Sequence, residues 1–147
     1  MTETLEAPAT TTTTQDAVAA ISSNSFTYQG RTITIADDER YIGTIISADA
    51  GRNHHIILLP GDADEADWET QMNWAKAQGG ELPDRVESAL LFSTMKDEFK
   101  EDWYWTREQH ASYASYAWYQ NFRRGDQRSY HTYSTLRARA VRRLIIQ

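Results

Sequence analysis

The sequence predicts an α+β fold: two helices packed on an antiparallel sheet. Three observations carry this. Paired β-branched and apolar runs fill residues 26–59, helical periodicity bounded by stop signals fills the middle, and aromatic, alternating runs occupy residues 103–147. Strands, then two helices, then strands again is the element order of an α+β domain with an antiparallel sheet.

The first 25 residues stand apart from that domain. They are poor in aromatics and carry five consecutive threonines, Thr10 to Thr14. Such a segment cannot bury enough apolar surface to offset its ordering entropy. It is expected to be a flexible or extended arm, one that attaches to another chain, ahead of a domain spanning 26–147. Phe26-Thr27-Tyr28 and Ile33-Thr34-Ile35 alternate around Gln29-Gly30, a small hairpin. Tyr41 to Ile46 and His55 to Leu59 read as two antiparallel strands separated by the turn cluster Asp49 to Asn53.

Trp68, Met72 and Ala75 recur at helical spacing, and Gly79-Gly80 ends that helix. Acids at Asp62, Asp64, Glu65, Asp67 and Glu69 crowd its expected first turn, where the helix dipole favours them. Asp84 with Glu87 resembles a capping box opening a second helix, whose inner face is expected to be Val86, Ala89, Leu90 and Ser93. Trp103-Tyr104-Trp105 is β-prone. Trp118 to Phe122 and Arg128 to Tyr133 flank Arg124-Gly125-Asp126-Gln127 as a hairpin, and Arg137 to Ile146 alternates as one closing strand.

Composition bounds the function. The chain has 147 residues, 40% hydrophobic and 12% aromatic, enough for one core. No run of 18 apolar residues suggests a transmembrane helix, and the acidic start Met1 to Glu6 leads us to expect no secretory signal peptide. There are no cysteines, which excludes disulfides, thiolate metal sites and a cysteine nucleophile. The net charge of −6 hides an asymmetry: residues 1–102 carry 7 Lys+Arg against 19 Asp+Glu, and residues 103–147 carry 8 Arg against 2 acids. The C-terminal stretch also holds 10 of the 17 aromatics. Arginine mixed with tyrosine and tryptophan is the composition of a recognition surface; basic strands pairing with the acidic remainder inside one fold would give the same charge asymmetry.

Gly80-Glu81-Leu82-Pro83-Asp84-Arg85, then Ala89-Leu90-Leu91-Phe92, Trp103-Tyr104-Trp105-Thr106, Ala117-Trp118, Phe122 with Gly125, and Arg137-Ala138-Arg139-Ala140-Val141-Arg142 follow one another in order. This series resembles a phage and prophage family of unknown function and is similar to the C-terminal domain of the Legionella collagen-like adhesin. The resemblance covers residues 41–147. It implies a compact C-type-lectin-like fold that binds through a loop-and-hairpin face. It makes the double glycine, Leu82-Pro83, Trp105, Trp118 and the Arg139 to Arg142 strand structural. The Glu-Pro-Asn, Gln-Pro-Asp and Trp-Asn-Asp signatures of calcium-dependent sugar sites are absent; Glu81-Leu82-Pro83-Asp84 is only superficially similar.

Catalysis finds little support in the residues. His54 and His55 would point to opposite faces of a strand, the acids of 62–69 fit no EF-hand loop, and no phosphate loop or Ser-His-Asp order stands out. We therefore expect no enzyme, no cofactor and no metal. Binding is better supported. With Trp118 in the core, alternation sends Tyr119, Asn121 and Arg123 outward. Tyr113 and Tyr116 precede the hairpin, Arg124, Asp126, Gln127 and Arg128 form its turn, and Tyr130, His131 and Tyr133 lie on its return strand, whose outward face depends on register. Rigid amphipathic rings beside adaptable polar side chains are the chemistry of a paratope.

The expected ligand is a protein or a glycan. In one setting the chain is a virion or tail accessory protein, with residues 1–25 held by another virion protein. In the alternative it is an intracellular phage protein that inhibits or recruits a host factor. Synthesis in the host cytoplasm and homo-oligomerisation fit both. Membrane insertion is not expected, and the acidic half argues against nucleic acid.

Overall fold

The computed structural model describes residues 24–47 and 53–146; residues 1–23 of the expected N-terminal arm lie outside the described residues, and Ser25, its last, already belongs to the first strand. The chain divides into two compact units between Glu39 and Arg40. The described part of the first is a hairpin, β1 (Ser25–Tyr28) paired antiparallel with β2 (Arg31–Thr34). Gln29 and Gly30 both take positive φ at its turn, as a tight two-residue hairpin connection requires. Asn24 Nδ2 donates to the Ala36 carbonyl at 2.8 Å, and Glu39 Oε1 accepts from the Ala36 amide at 2.9 Å.

The second unit is α+β. Its elements are β3 (Arg40–Ile45), β4 (His54–Leu58), β5 (Ala63–Ala66), α1 (Trp68–Ala77), α2 (Arg85–Met95) with a single 3-10 turn (Lys96–Glu98), β6 (Trp103–Gln109), β7 (Tyr116–Asn121), β8 (Gln127–His131), β9 (Leu136–Ala138) and β10 (Val141–Ile145). Five strands form one sheet in the order β5-β9-β6-β7-β8, and three form a second in the order β10-β4-β3. The expected antiparallel pairing holds at every ladder of these two sheets but one: β9 runs parallel to β6.

Three sequence expectations are corrected here. The acids of 62–65 do not open a helix. Ala63–Ala66 is an edge strand, and α1 begins only at its N-cap Asp67, whose carboxylate accepts from the Thr70 amide at 2.8 Å. The Arg137–Ile146 strand is two strands in different sheets. The chain changes sheet at Arg139, whose buried guanidinium donates to the Glu98 carbonyl at 2.6 Å and the Leu59 carbonyl at 2.9 Å and lies over the Phe99 ring. Carbonyls left unpaired at a break between strands must find donors; Arg139 supplies them. On α2 the buried residues are Glu87, Ser88 and Leu91; Val86, Ala89 and Ser93 are exposed and Leu90 is half-buried. The capping box forms as expected: Asp84 accepts from the Glu87 amide at 2.7 Å, and Glu87 accepts from the Asp84 amide at 2.8 Å. That reciprocal pairing fixes the helix start. It also commits Glu87 to the interior, which rotates the buried face away from Val86.

Two cores meet at β6. Trp105 belongs to a cluster with Ala75 of α1, Leu82, Ala117, Tyr119, Leu136 and Ala138. Its neighbour Tyr104 belongs to the other cluster, with Leu91 of α2, Ile56, Leu58, Phe99, Phe122 and Val141. Successive strand residues face opposite ways, so β6 is wedged between the two. Gly80 sits at the join. Glu81 and Val141 exchange backbone hydrogen bonds at 2.8 Å. A β-carbon on Gly80 would overlap the Val141 carbonyl and lie 2.8 Å from Leu59 Cδ1. Gly80→Ala should therefore cost about 1–3 kcal/mol, the range for overpacking a rigid site. Chemical denaturation of parent and variant tests this, and an unchanged midpoint would show that the backbone there gives way.

Candidate functional site

The β7–β8 hairpin is where the sequence-selected residues gather. Its turn is built, not loose. Asn121 Oδ1 accepts from the Arg123 amide at 2.8 Å and the Arg124 amide at 3.2 Å, and the Gly125 amide donates to the Asn121 carbonyl at 2.8 Å. Gly125 has φ +93°, and a β-carbon there would lie 2.6 Å from the Phe92 ring, so the position requires glycine. Gln127 ties the turn to α2: its amide donates to the Arg85 carbonyl at 2.7 Å and to Gln120 Oε1 at 2.8 Å, and its own oxygen accepts from Arg85 Nε at 2.9 Å.

Tyr119 and Asn121, expected outside, are buried, while Gln120 and Phe122 on Trp118's face are also buried and Trp118 itself is half-buried, so β7 is covered on both faces rather than one. The physical reason lies in α1 and α2. Ala117 and Tyr119 face the Trp105 core, while Trp118 is covered by the first turn of α2, with the Arg85 guanidinium 3.6 Å from its ring centroid. A partly covered aromatic under a cation retains a wet edge.

Strand alternation sorts the twelve candidates onto two sides of the hairpin. On one side Tyr119, Asn121, Arg123, Arg124, Asp126 and Arg128 line a groove of about 360 Å³ together with Trp103. The Trp103 and Tyr119 rings stack at 4.6 Å, and Tyr130, exposed, meets Trp103 edge-on at 5.8 Å. On the other side Tyr116 contacts His131 (4.4 Å between centroids), and His131 stacks on exposed Tyr133 at 4.8 Å. Tyr113 bridges Tyr116 to His110, which stacks on Trp118 at 5.6 Å. Gln127 holds α2, as described. Register decides this sorting: Tyr119 lies opposite Arg128 and Tyr116 opposite His131. Trp103 was missed because it reads as core. Its parity with Trp105, and so with Tyr119 across the ladder, would have placed it in the groove.

The arginines fall into two groups. Arg137 meets Asp102 at 3.1 Å and Asp62 at 3.3 Å, Arg143 holds Glu81 and Glu87, and Arg107 meets Glu81 at 3.6 Å. These internal pairs account for part of the charge asymmetry. In the groove Arg128 Nε pairs with Asp126 at 3.0 Å, and that hydrogen bond holds the Asp126 carboxyl below its usual range. Arg123 and Arg124 are exposed and meet no carboxylate among the described residues. Burial, with the Asp126 charge adding to it, pushes the Tyr119 phenol up, so it is a neutral hydrogen-bonding group at any physiological pH.

Among the described residues, no three His, Cys, Asp or Glu side chains converge as a metal site, and no helix is long and apolar enough to cross a membrane. No protein-family model matches this sequence, and no curated protein matches it.

Proposed function

We propose that the chain is a non-enzymatic binding module of a phage or prophage, a compact C-type-lectin-like domain that recognises its ligand through the β7–β8 hairpin as a virion or tail accessory protein. One observation carries the reading: two arginines with no acid partner among the described residues stand on a turn fixed by Asn121 and Gly125, at the rim of an aromatic-floored groove. The turn backbone is held before binding, so only the arginine side chains lose freedom on contact, and arginine beside aromatic rings is where binding energy concentrates.

Because Tyr119 is core, the test uses the exposed pair. Arg123→Ala, Arg124→Ala should melt like the parent, since exposed truncations change stability by less than about 0.5 kcal/mol each. Its retention on bacterial cells or envelope extract should fall by about 2 kcal/mol or more in apparent affinity. Equal retention of parent and variant would dismiss the hairpin as the site. Mass spectrometry of purified particles tests the virion setting independently.

A further inference from the structure

The geometry points to the outer edge of β8 as a strand-addition site for an extended acidic segment of a partner protein. This inference rests on the hairpin being the binding face and names the partner's chemistry. β8 ends the five-stranded sheet, with no strand beside it among the described residues. The phase of its ladder is fixed at both ends: the Asn121 amide donates to the Asp126 carbonyl at 2.9 Å, and the Thr132 amide donates to the Ser115 carbonyl at 2.8 Å. Antiparallel ladders alternate, so Arg128 and Tyr130 spend their backbone groups on β7 while Ser129 turns its N–H and C=O away from the sheet.

The sheet's two edges are treated differently. β5 carries exposed Asp64 and Glu65, the charged blunting that keeps edges from pairing. β8 carries one exposed charge, Arg128, already paired with Asp126, and has no proline, no lysine and no register shift against β7. Charge then selects the occupant. A strand laid along β8 places every second side chain on the face of Arg128 and Tyr130, beside the groove that Arg123 and Arg124 overlook. Carboxylates at those positions would meet guanidinium forks. A second copy pairing β8 to β8 about Ser129 would set Arg128 opposite Tyr130 and bring no carboxylate to Arg123 and Arg124, whereas an acidic strand supplies one. Main-chain bonds supply affinity and alternate side chains supply selectivity in this mode of recognition.

The probe is a short synthetic peptide alternating glutamate and valine, titrated into the full chain by NMR. Shifts should centre on the Ser129 amide and the Arg123, Arg124 and Arg128 side chains. The same peptide N-methylated on the bonding edge, and a lysine-valine version, should each bind at least about tenfold more weakly. Arg123→Ala, Arg124→Ala should weaken the glutamate peptide by about tenfold or more. Equal binding by the N-methylated peptide, no binding at millimolar concentration, or concentration-dependent self-association centred on Ser129 would each overturn the assignment. If the double variant still loses retention on envelope extract while the peptide fails, the hairpin reading stands and only the acidic-strand partner falls.

Discussion

Glu87→Ala should cost about 3 kcal/mol, the low end of the loss on breaking a buried ion pair, because Arg143 loses its bidentate partner but keeps Glu81. Glu87 is fully enclosed on the first turn of α2. Its two oxygens take both arms of Arg143 at 2.6 Å, accept His54 Nε2 at 2.9 Å and cap the Asp84 amide at 2.8 Å. Alanine leaves the Arg143 guanidinium, itself mostly buried, with Glu81 and the Leu82 carbonyl. The helix loses half its capping box, and β10 loses its tie to α2. Truncating both partners, Glu87→Ala with Arg143→Ala, should cost less than the sum of the singles, since neither charge is then left alone. Additive losses would show that the pair carries no coupling.

The same carboxylate sets a pH dependence. Burial alone would push its pKa up, but the Arg143 hydrogen bonds and charge, the Asp84 amide and His54 outweigh it and hold it below the usual glutamate range. A depressed carboxyl contributes stability above its unfolded pKa and loses it as pH falls through the folded value. Parent stability should therefore decline on acidification below the ordinary glutamate range. Glu87→Gln, which removes the titration, should show a shallower decline in a pH series of denaturation midpoints.

Local signals made most of the elements legible in the sequence. Gln29-Gly30, Gly79-Gly80, the Asp84–Glu87 box and the Arg124-to-Gln127 turn act within a few residues, and each appears where the residues place it. What misled was facing. Trp118 looks like core by size, yet Arg85 and His110 cover it at the surface while the smaller Ala117 and the amphipathic Tyr119 go inward. Facing depends on which helix covers which side, a long-range fact that hydrophobicity along one strand does not contain. Arg139 is the same kind of case. Its alternation with Arg137 and Val141 reads as one strand, but a buried guanidinium satisfying two distant carbonyls turns the chain into the second sheet. The candidate residues do lie about one hairpin, and the register, which the sequence left open for the return strand, splits them between two faces.

Trp105→Ala takes the place that the sequence would have given to Trp118. Trp105 is the largest fully enclosed side chain among the described residues. Its indole N–H donates to the Ala66 carbonyl at 3.2 Å, linking β6 to the edge strand β5. Around it pack Ala75 of α1, Leu82, Ala117, Tyr119 and Ala138. Several of those neighbours are alanines on helix or strand backbone, which cannot swing in to fill the space. The loss should fall at about 3–5 kcal/mol, the range for emptying a large aromatic core site with little relaxation. Trp118→Ala should cost distinctly less, because its ring already meets water and gives up mainly the Arg85 and His110 contacts. Paired urea titrations of the two variants provide the comparison. If Trp118→Ala proves as costly as Trp105→Ala, the two-sided reading of β7 fails, and with it the division of the hairpin into an arginine groove and an aromatic–histidine face.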